Sequence, residues 1–360
     1  MVEVLPMSIH PPRRCAALLG VAVLVGLEWT LATAPAGASR GGLACAAIEF
    51  LESLSPQQCE IAKRPLSDPD RDKWSYLRGE RGGISWGTLT EPQRDGVREI
   101  VSLVLSNSGA EAIETVRTLE GILHQQSIES GSPDHTFNPS NYFVRIWGEP
   151  GTDDWLFRYE GHHAVVQLAT ANWNLTPFPL FLGAKPTEAK IGERSGVRNL
   201  GAQQDAGFKL WATLSAEQLA SATLPGCPGD IVSGPGRERS LAHPVGVPAS
   251  AFDEAQQAVL WELIASYSGI LRDEFAREEL ERIRTHEPGA IHFAVAGDCD
   301  RKKPHYFRIH GPVCLIEFAC SGGDPDHLHT VWHDPSRGFA NDILAEHHQT
   351  HHAGENDGRE

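Results

Sequence analysis

The chain has 360 residues and a formal net charge of −16. An acidic surface repels nucleic-acid phosphates and anionic lipid headgroups, so neither is an expected partner. The length allows a core that does not depend on disulfides for its stability.

The first residues, 1–38, predict a cleaved signal peptide. Two arginines precede an apolar run over residues 15–27, and residues 36–38 have the small-x-small pattern that signal peptidase recognises. The alternative is a membrane anchor, but the run is shorter than the ~20 apolar residues that span a bilayer, and Glu28 ends it. We therefore expect a secreted or periplasmic chain that begins near Ser39 and has no membrane span.

Helical patterns fill the next region, residues 43–123. Thr90 and Gln93 form a capping box, and apolar residues follow it at helical spacing until the stop at residues 107–109. A second helix and a polar loop over residues 127–141 precede a change of period.

From residue 142 the apolar pattern becomes that of strands. Three strands are predicted over residues 142–148, 155–161 and 163–170, and further strands over residues 291–332. Helices are predicted between and after them, over residues 201–214, after the Ser215/Gln218 capping box, over residues 252–284 as two helices that meet near Ser268, and over residues 339–348. Residues 225–248 predict a surface loop, and residues 349–360 a disordered tail. Residues 39–348 are predicted to form a single α+β domain.

The two strand-rich regions resemble each other. Residues 155–161 align with residues 305–311, and residues 162–169 align with residues 312–319 without a gap. The similarity predicts an internal duplication of a three-stranded meander, with chance resemblance as the alternative. Two such meanders flanked by helices give an antiparallel sheet in an α+β domain.

The predicted meander also places the cysteines. Cys299 follows the first strand of the second copy and Cys320 ends its third strand. Both should lie at one end of the hairpin, within the ~5.5–6 Å between Cα atoms that a disulfide needs. Cys314, in mid-strand, is predicted to be a buried free thiol. No Cys-x-x-Cys pair is present, which argues against thiol redox catalysis.

Strand alternation gathers charged side chains on one face of each meander. The first meander contributes Arg158, Glu160, His163 and Gln167. The second contributes Arg308, His310 and Glu317. Charges on a covered face need partners, so these are either structural ion pairs or binding groups, and Arg158 and His310 are the predicted binding residues.

The densest polar cluster covers residues 327–334. His327 and His329 project from one face of a strand and can present two imidazoles to one metal ion. His162 and His163, together with Glu317 and Asp334, can complete a nitrogen and oxygen coordination sphere. The alternative is that these histidines are ordinary surface or core residues. Because the cluster contains no cysteine, zinc, iron, copper or manganese is the expected divalent ion.

At these residues the chain resembles an uncharacterised family, domain of unknown function 3500. The resemblance rests on residues 161–163, 176–184, 306–312, 317–318 and 327–332. The family pattern has Trp-Arg-Asp where this chain has Trp332-His333-Asp334, and Gly338 and Ala340 replace an expected acidic residue and glycine. The resemblance implies no reaction. If the missing arginine binds a substrate anion, the departure implies altered or lost activity.

Three functions are compatible with this sequence. The first is an exported metal-dependent hydrolase or oxidoreductase, with Glu317 or Asp334 as general base and Arg308 holding substrate charge. The second is a non-catalytic protein that binds an unidentified small molecule through Arg158, His163, Arg308 and His329. In the third, all these groups are buried scaffold. No serine-hydrolase elbow, His-Glu-x-x-His motif or phosphate loop is present.

Overall fold

A computed structural model describes residues 36–131, 137–171, 174–190 and 195–337. The helices in these residues are α1 Ala36–Glu52, α2 Pro56–Ala62, α3 Glu91–Ser102, α4 Asn107–Glu129, α5 Gly201–Thr213, α6 Ala216–Ala222, α7 Glu254–Ser268 and α8 Asp273–Arg284. The strands are β1 Lys63–Arg64, β2 Ile84–Ser85, β3 Tyr142–Gly148, β4 Trp155–Gly161, β5 Ala164–Ala171, β6 Asn174–Thr176, β7 Leu180–Ala184, β8 Val247–Pro248, β9 His292–Gly297, β10 His305–Gly311, β11 Cys314–Cys320 and β12 Leu328–His333. None of the described helices has the length and apolar character to cross a bilayer.

All the strands belong to one sheet with the order β1-β3-β4-β5-β7-β12-β11-β10-β9-β8, while β2 pairs with β3 and β6 with β5. Every pairing is antiparallel except that of β1 with β3. The strands β7 and β12 join the two meanders at the centre of the sheet. The predicted α+β domain with an antiparallel sheet is therefore confirmed.

The two faces of the sheet are covered in different ways. Phe157 and Tyr159 point into a large apolar core that the helices share. Their neighbour Arg158 points to the opposite face, as strand alternation requires. A second apolar cluster on that face includes Trp74 and Ile231, which lie in irregular segments of the chain.

These irregular segments correct two predictions. The region predicted as helical is interrupted between α2 and α3, where Pro65 and Pro69 and several glycines prevent helix continuation. Residues 225–248 were predicted as a surface loop, but Ser233 within them is fully buried against the sheet. We call residues 65–83 the first covering segment and residues 224–246 the second covering segment.

Both predicted capping boxes, Thr90/Gln93 and Ser215/Gln218, are present, and each contacts the capping box of another helix. Gln218 of the Ser215 box begins α6 and donates to Gln256 at the start of α7, with an Nε2–Oε1 distance of 2.9 Å. Gln58 and Gln93, at the starts of α2 and α3, make the same contact at 3.4 Å. Each contact satisfies side-chain amides at helix N-termini and fixes one helix end against another.

The two meanders have the same strand order and matching registers. Arg158 lies opposite Gln167 in the first, and Arg308 lies opposite Glu317 in the second. Outside the sheet, the contact between Gln58 and Gln93 at the starts of α2 and α3 corresponds to the contact between Gln218 and Gln256 at the starts of α6 and α7. The internal duplication itself stays a prediction.

The predicted Cys299–Cys320 disulfide is wrong for this structure, because every cysteine among the described residues is a free thiol. Cys320 is buried, and its Sγ lies 3.3 Å from the His305 ring, whereas Cys299 is exposed. Cys314 is buried and free, as predicted. Residues 1–35 of the predicted signal peptide, which covers residues 1–38, lie outside the described residues, and so do the predicted helix over residues 339–348 and the tail.

Candidate metal site

Three histidines meet at the centre of the sheet, on the face that the covering segments protect. His163 ends the two-residue turn between β4 and β5, His327 precedes β12, and His329 is the second residue of β12. They converge because β7 lies between β5 and β12 and pairs with both. One ring nitrogen from each lies within 4.8 Å of the others, so the three could hold one metal ion.

The backbone at His163 is held in an unusual conformation. Its φ is +65°, which no other non-glycine residue adopts among those described. Its N–H donates to the Tyr76 carbonyl at 3.2 Å, and its carbonyl accepts from Gly183 N at 2.7 Å. A Cβ on Gly183 would lie 2.6 Å from His163 Cδ2, so only glycine leaves room for this ring. Backbone strain of this kind is found most often at functional sites.

The nitrogens of the three rings face one another. His163 Nε2 lies 2.8 Å from His327 Nε2, a contact in which one ring must donate and the other accept. His329 Nε2 is buried and has no hydrogen-bond partner among the described residues. A buried nitrogen without a partner is costly, and a metal ion would satisfy it together with the other two.

The surroundings keep two of these imidazoles, those of His163 and His327, neutral. Burial, with the nearby His162 and His329, holds the pKa of His163 well below its usual value. Burial, followed by the charge that His329 can carry, lowers the pKa of His327 to about 3. Both rings are therefore unprotonated at neutral pH, which is the form that binds a metal ion.

A carboxylate orients the third ring from behind. His329 Nδ1 donates to Asp230 Oδ1 at 2.7 Å, and the Tyr76 hydroxyl donates to Asp230 Oδ2 at 3.2 Å. Burial alone would raise the pKa of Asp230, but the hydrogen bond and charge from His329 lower it, so the carboxylate is ionised. This contact requires a proton on Nδ1, so in the neutral form of the ring the lone pair is on Nε2, the nitrogen without a hydrogen-bond partner among the described residues. Carboxylate–histidine pairs of this type commonly orient metal ligands.

His162 was predicted as a fourth ligand, and it faces elsewhere. Its Nδ1 lies 2.6 Å from Glu120 Oε2 on α4. Its ring stacks on His163 with centroids 3.7 Å apart. His162 therefore supports the position of His163 from the side of α4.

Glu317 was predicted as a general base or ligand, and its oxygens are already occupied. They accept hydrogen bonds from Val232 N and Ser233 N, both at 2.8 Å, and from the Tyr306 hydroxyl at 2.6 Å. Ser233 Oγ adds a further contact. Glu317 thus fastens the second covering segment, which carries Asp230, to the sheet.

Asp334 lies at the far end of β12 from His329. It accepts from Arg337 Nε at 2.8 Å and pairs with Arg282 of α8. Glu279 joins the group through Arg337 at 2.6 Å. This ion-pair network fastens the chain after β12 to α8, and it does not include the three histidines.

The other predicted binding residues are also separate from the histidines. Arg158 donates to Gln167 Oε1 at 2.9 Å and to the Lys73 carbonyl at 2.8 Å, so it anchors the first covering segment. Arg308 and His310 lie on β10, which β11 separates from β12. Arg308 Nε and His310 Nδ1 are buried and have no hydrogen-bond partner in the described part of the chain.

Sequence reasoning missed Tyr76 and Asp230, which lie in the two covering segments. Neither segment has a periodic pattern, so neither residue gave a signal beyond its residue type. Gly183 was within the family-like segment at residues 176–184, but its role depends on a ring that approaches from another strand.

An α+β fold with a broad antiparallel sheet and a buried three-histidine group under two covering segments defines the class of this protein. The chain belongs to the family described as protein of unknown function (DUF3500), whose model matches residues 36–341. None of the curated proteins and none of the solved structures compared with the chain matches it.

Proposed function

We propose that this protein binds one divalent transition-metal ion through His163, His327 and His329 and uses it in an enzymatic reaction. The observation that carries the proposal is the convergence of three imidazole nitrogens within 4.8 Å. Two of these rings are held neutral by burial, and Asp230 orients the third.

The donor set favours particular ions. Three imidazoles without a thiolate suit zinc, iron, copper or manganese better than calcium or magnesium, which prefer oxygen ligands. Three protein ligands are typical of catalytic zinc sites, in which a fourth position remains for water or substrate. Zinc bound in this way lowers the pKa of water to about 7, which supports hydrolysis at neutral pH.

Hydrolysis is the reaction that these residues support most directly. Glu317 and Asp334 are engaged in hydrogen bonds and ion pairs, so the metal ion itself would have to activate the nucleophile. Iron or copper at the same ligands would instead support an oxidoreductase, and the identity of the bound ion separates the two. The signal-like pattern of residues 1–38 supports a secreted or periplasmic location.

A different observation supports a second function, which is the binding of a small molecule without catalysis. Arg308 Nε and His310 Nδ1 are buried on the covered face without partners among the described residues. The charged Nε–H donor of Arg308 suits a small anion. This function requires neither the metal ion nor the three histidines.

The first test is elemental analysis of full-length protein purified without an affinity tag. His347, His348, His351 and His352 should be replaced by alanine, so that tail histidines cannot contribute. After growth with added metals and dialysis against a weak chelator, we expect about one ion per chain. No ion above background would refute the metal-dependent function. A panel of ester, amide and phosphoester substrates should then be tested on the loaded protein.

A further inference from the structure

A cavity of about 300 Å³ lies on the opposite side of the sheet from the three histidines. It is formed by α3, α4 and β4, and its apolar lining includes Trp86, Val97, Val101, Ile113 and Tyr159. Its volume is at the lower end of the range found for small-molecule sites. Neither the metal site nor the covering segments contribute to it.

One polar group at this cavity has no partner. The Tyr159 hydroxyl is buried and makes no hydrogen bond with any described residue. Tyr142, whose ring stacks on Tyr159 at 5.6 Å, donates its own hydroxyl to the His162 carbonyl at 2.7 Å. The contrast matters because a buried hydroxyl without a partner costs about 1–3 kcal/mol, and proteins rarely retain one.

The charged residues at the cavity are already paired. Arg98 binds Glu91 at 2.7 Å and Asp95 at 2.6 Å. Glu114 pairs with Arg117, whose guanidinium lies 4.0 Å from the Trp86 ring centroid. A charged ligand would find no free counter-ion in these pairs, and burial of its charge would be costly.

We propose that this cavity binds a neutral, mainly apolar molecule, about the size of one substituted aromatic ring, whose oxygen accepts a hydrogen bond from Tyr159. A carbonyl or ether oxygen fits this role because the tyrosine hydroxyl can donate to it. Burial raises the pKa of Tyr159, so the hydroxyl stays protonated and remains a donor. The ligand site is independent of the proposed metal-dependent function.

The first experiment compares Tyr159→Phe with the matched variant Tyr142→Phe. Tyr142→Phe removes a formed hydrogen bond and should lower the folding equilibrium constant about fivefold. Tyr159→Phe removes a hydroxyl without a partner, so chemical denaturation should find the ligand-free variant as stable as wild type or more stable. A loss at Tyr159 equal to that at Tyr142 would show that the hydroxyl is already satisfied, which overturns the proposal.

The second experiment measures binding of two probes of the same shape by calorimetry. Acetophenone carries a carbonyl oxygen, and α-methylstyrene has a methylene group in its place. Wild type should bind acetophenone about fivefold more tightly, and Tyr159→Phe should remove that preference. Ala110→Leu, which fills part of the cavity, should weaken both probes at least tenfold. No saturable binding to wild type, or an unchanged preference in Tyr159→Phe, would reject the site.

Discussion

The hairpins β4–β5 and β10–β11 share a register but differ in their turns. In each, a glycine, Gly161 or Gly311, pairs with the third residue after it. The first turn ends with His163 at φ +65°, and the second ends with Val313, which does not have a positive φ. A β-branched residue is strongly disfavoured in that region of φ, so the second turn cannot present its side chain as His163 does. The candidate metal site therefore exists at one turn only.

The same strands differ in how they hold their arginines. Arg158 has partners in Gln167 and in the first covering segment, and Glu160 lies 3.7 Å from it. On β10, the residue two positions after Arg308 is His310, which supplies no negative charge. Arg158 is thus a hydrogen-bonded scaffold residue, whereas the Nε of Arg308 has no hydrogen-bond partner among the described residues. We take such departures between similar halves as the best guide to function.

The largest expected effect is a difference in metal binding between variants of the two turns. His163→Ala should abolish stoichiometric metal binding, because loss of a ligand costs more than the 10–100-fold typical of a residue that only orients one. Val313→Ala, at the matching position, should retain the metal. Elemental analysis and circular dichroism of both variants provide the measurement. Equal metal content in the two variants would contradict the assigned ligands.

The next largest expected effect is a difference in stability between variants of the two matching arginines, Arg158 and Arg308. Arg158→Met should lower the free energy of unfolding by about 3 kcal/mol, because it leaves Gln167 Oε1 and the Lys73 carbonyl without their donor. Arg308→Met should cost about 1 kcal/mol, since its Nε has no partner to lose among the described residues. Urea denaturation of both variants tests the difference. An equal loss would mean that Arg308 is also part of the scaffold.

The covering segments provide a smaller contrast. In the first segment the Ser75 N–H donates to the Glu160 carboxylate on β4. In the second segment the Val232 N–H donates to the Glu317 carboxylate on β11. The second supplies Asp230, whose carboxylate accepts a hydrogen bond from His329, whereas the first supplies Tyr76, whose hydroxyl donates to Asp230. Asp230→Asn should weaken metal affinity 10–100-fold, and Tyr76→Phe should weaken it less. Competition with a chromogenic chelator measures both, and an unchanged affinity in Asp230→Asn would exclude its orienting role.

Much of the sheet could be predicted because its strands follow simple periodic patterns. The same alternation predicted that His327 and His329 share a face. The predicted turn after β4 placed His163 among the candidate ligands. Local patterns could not give Glu120 as the partner of His162, or Arg282 as a partner of Asp334, since these residues lie on helices α4 and α8, far away in sequence. Asp230 was beyond prediction for a related reason: an aperiodic segment has no register until it packs against the sheet.

The smallest expected effect concerns the pH dependence of stability at His310, the residue of β10 that matches Glu160 of β4. Burial, then the charges of Arg308, His292 and His243, lowers the pKa of His310 to about 4 from an ordinary value of 6.5. Between these two pH values the unfolded chain binds more protons at His310 than the folded chain does. Its contribution to stability is therefore present above pH 6.5 and is lost as the pH falls toward 4, by at most about 2 kcal/mol at pH 5.

His310→Gln keeps a polar side chain at this position but cannot titrate. Its free energy of unfolding should therefore fall less than that of wild type between pH 7 and pH 5. Glu160→Gln at the matching position of β4 is the control, and it should not reduce that fall. Urea denaturation at the two pH values compares the three proteins. If His310→Gln and wild type lose the same stability, His310 is protonated in the folded state, and a negative charge or bound anion must accompany it on the covered face.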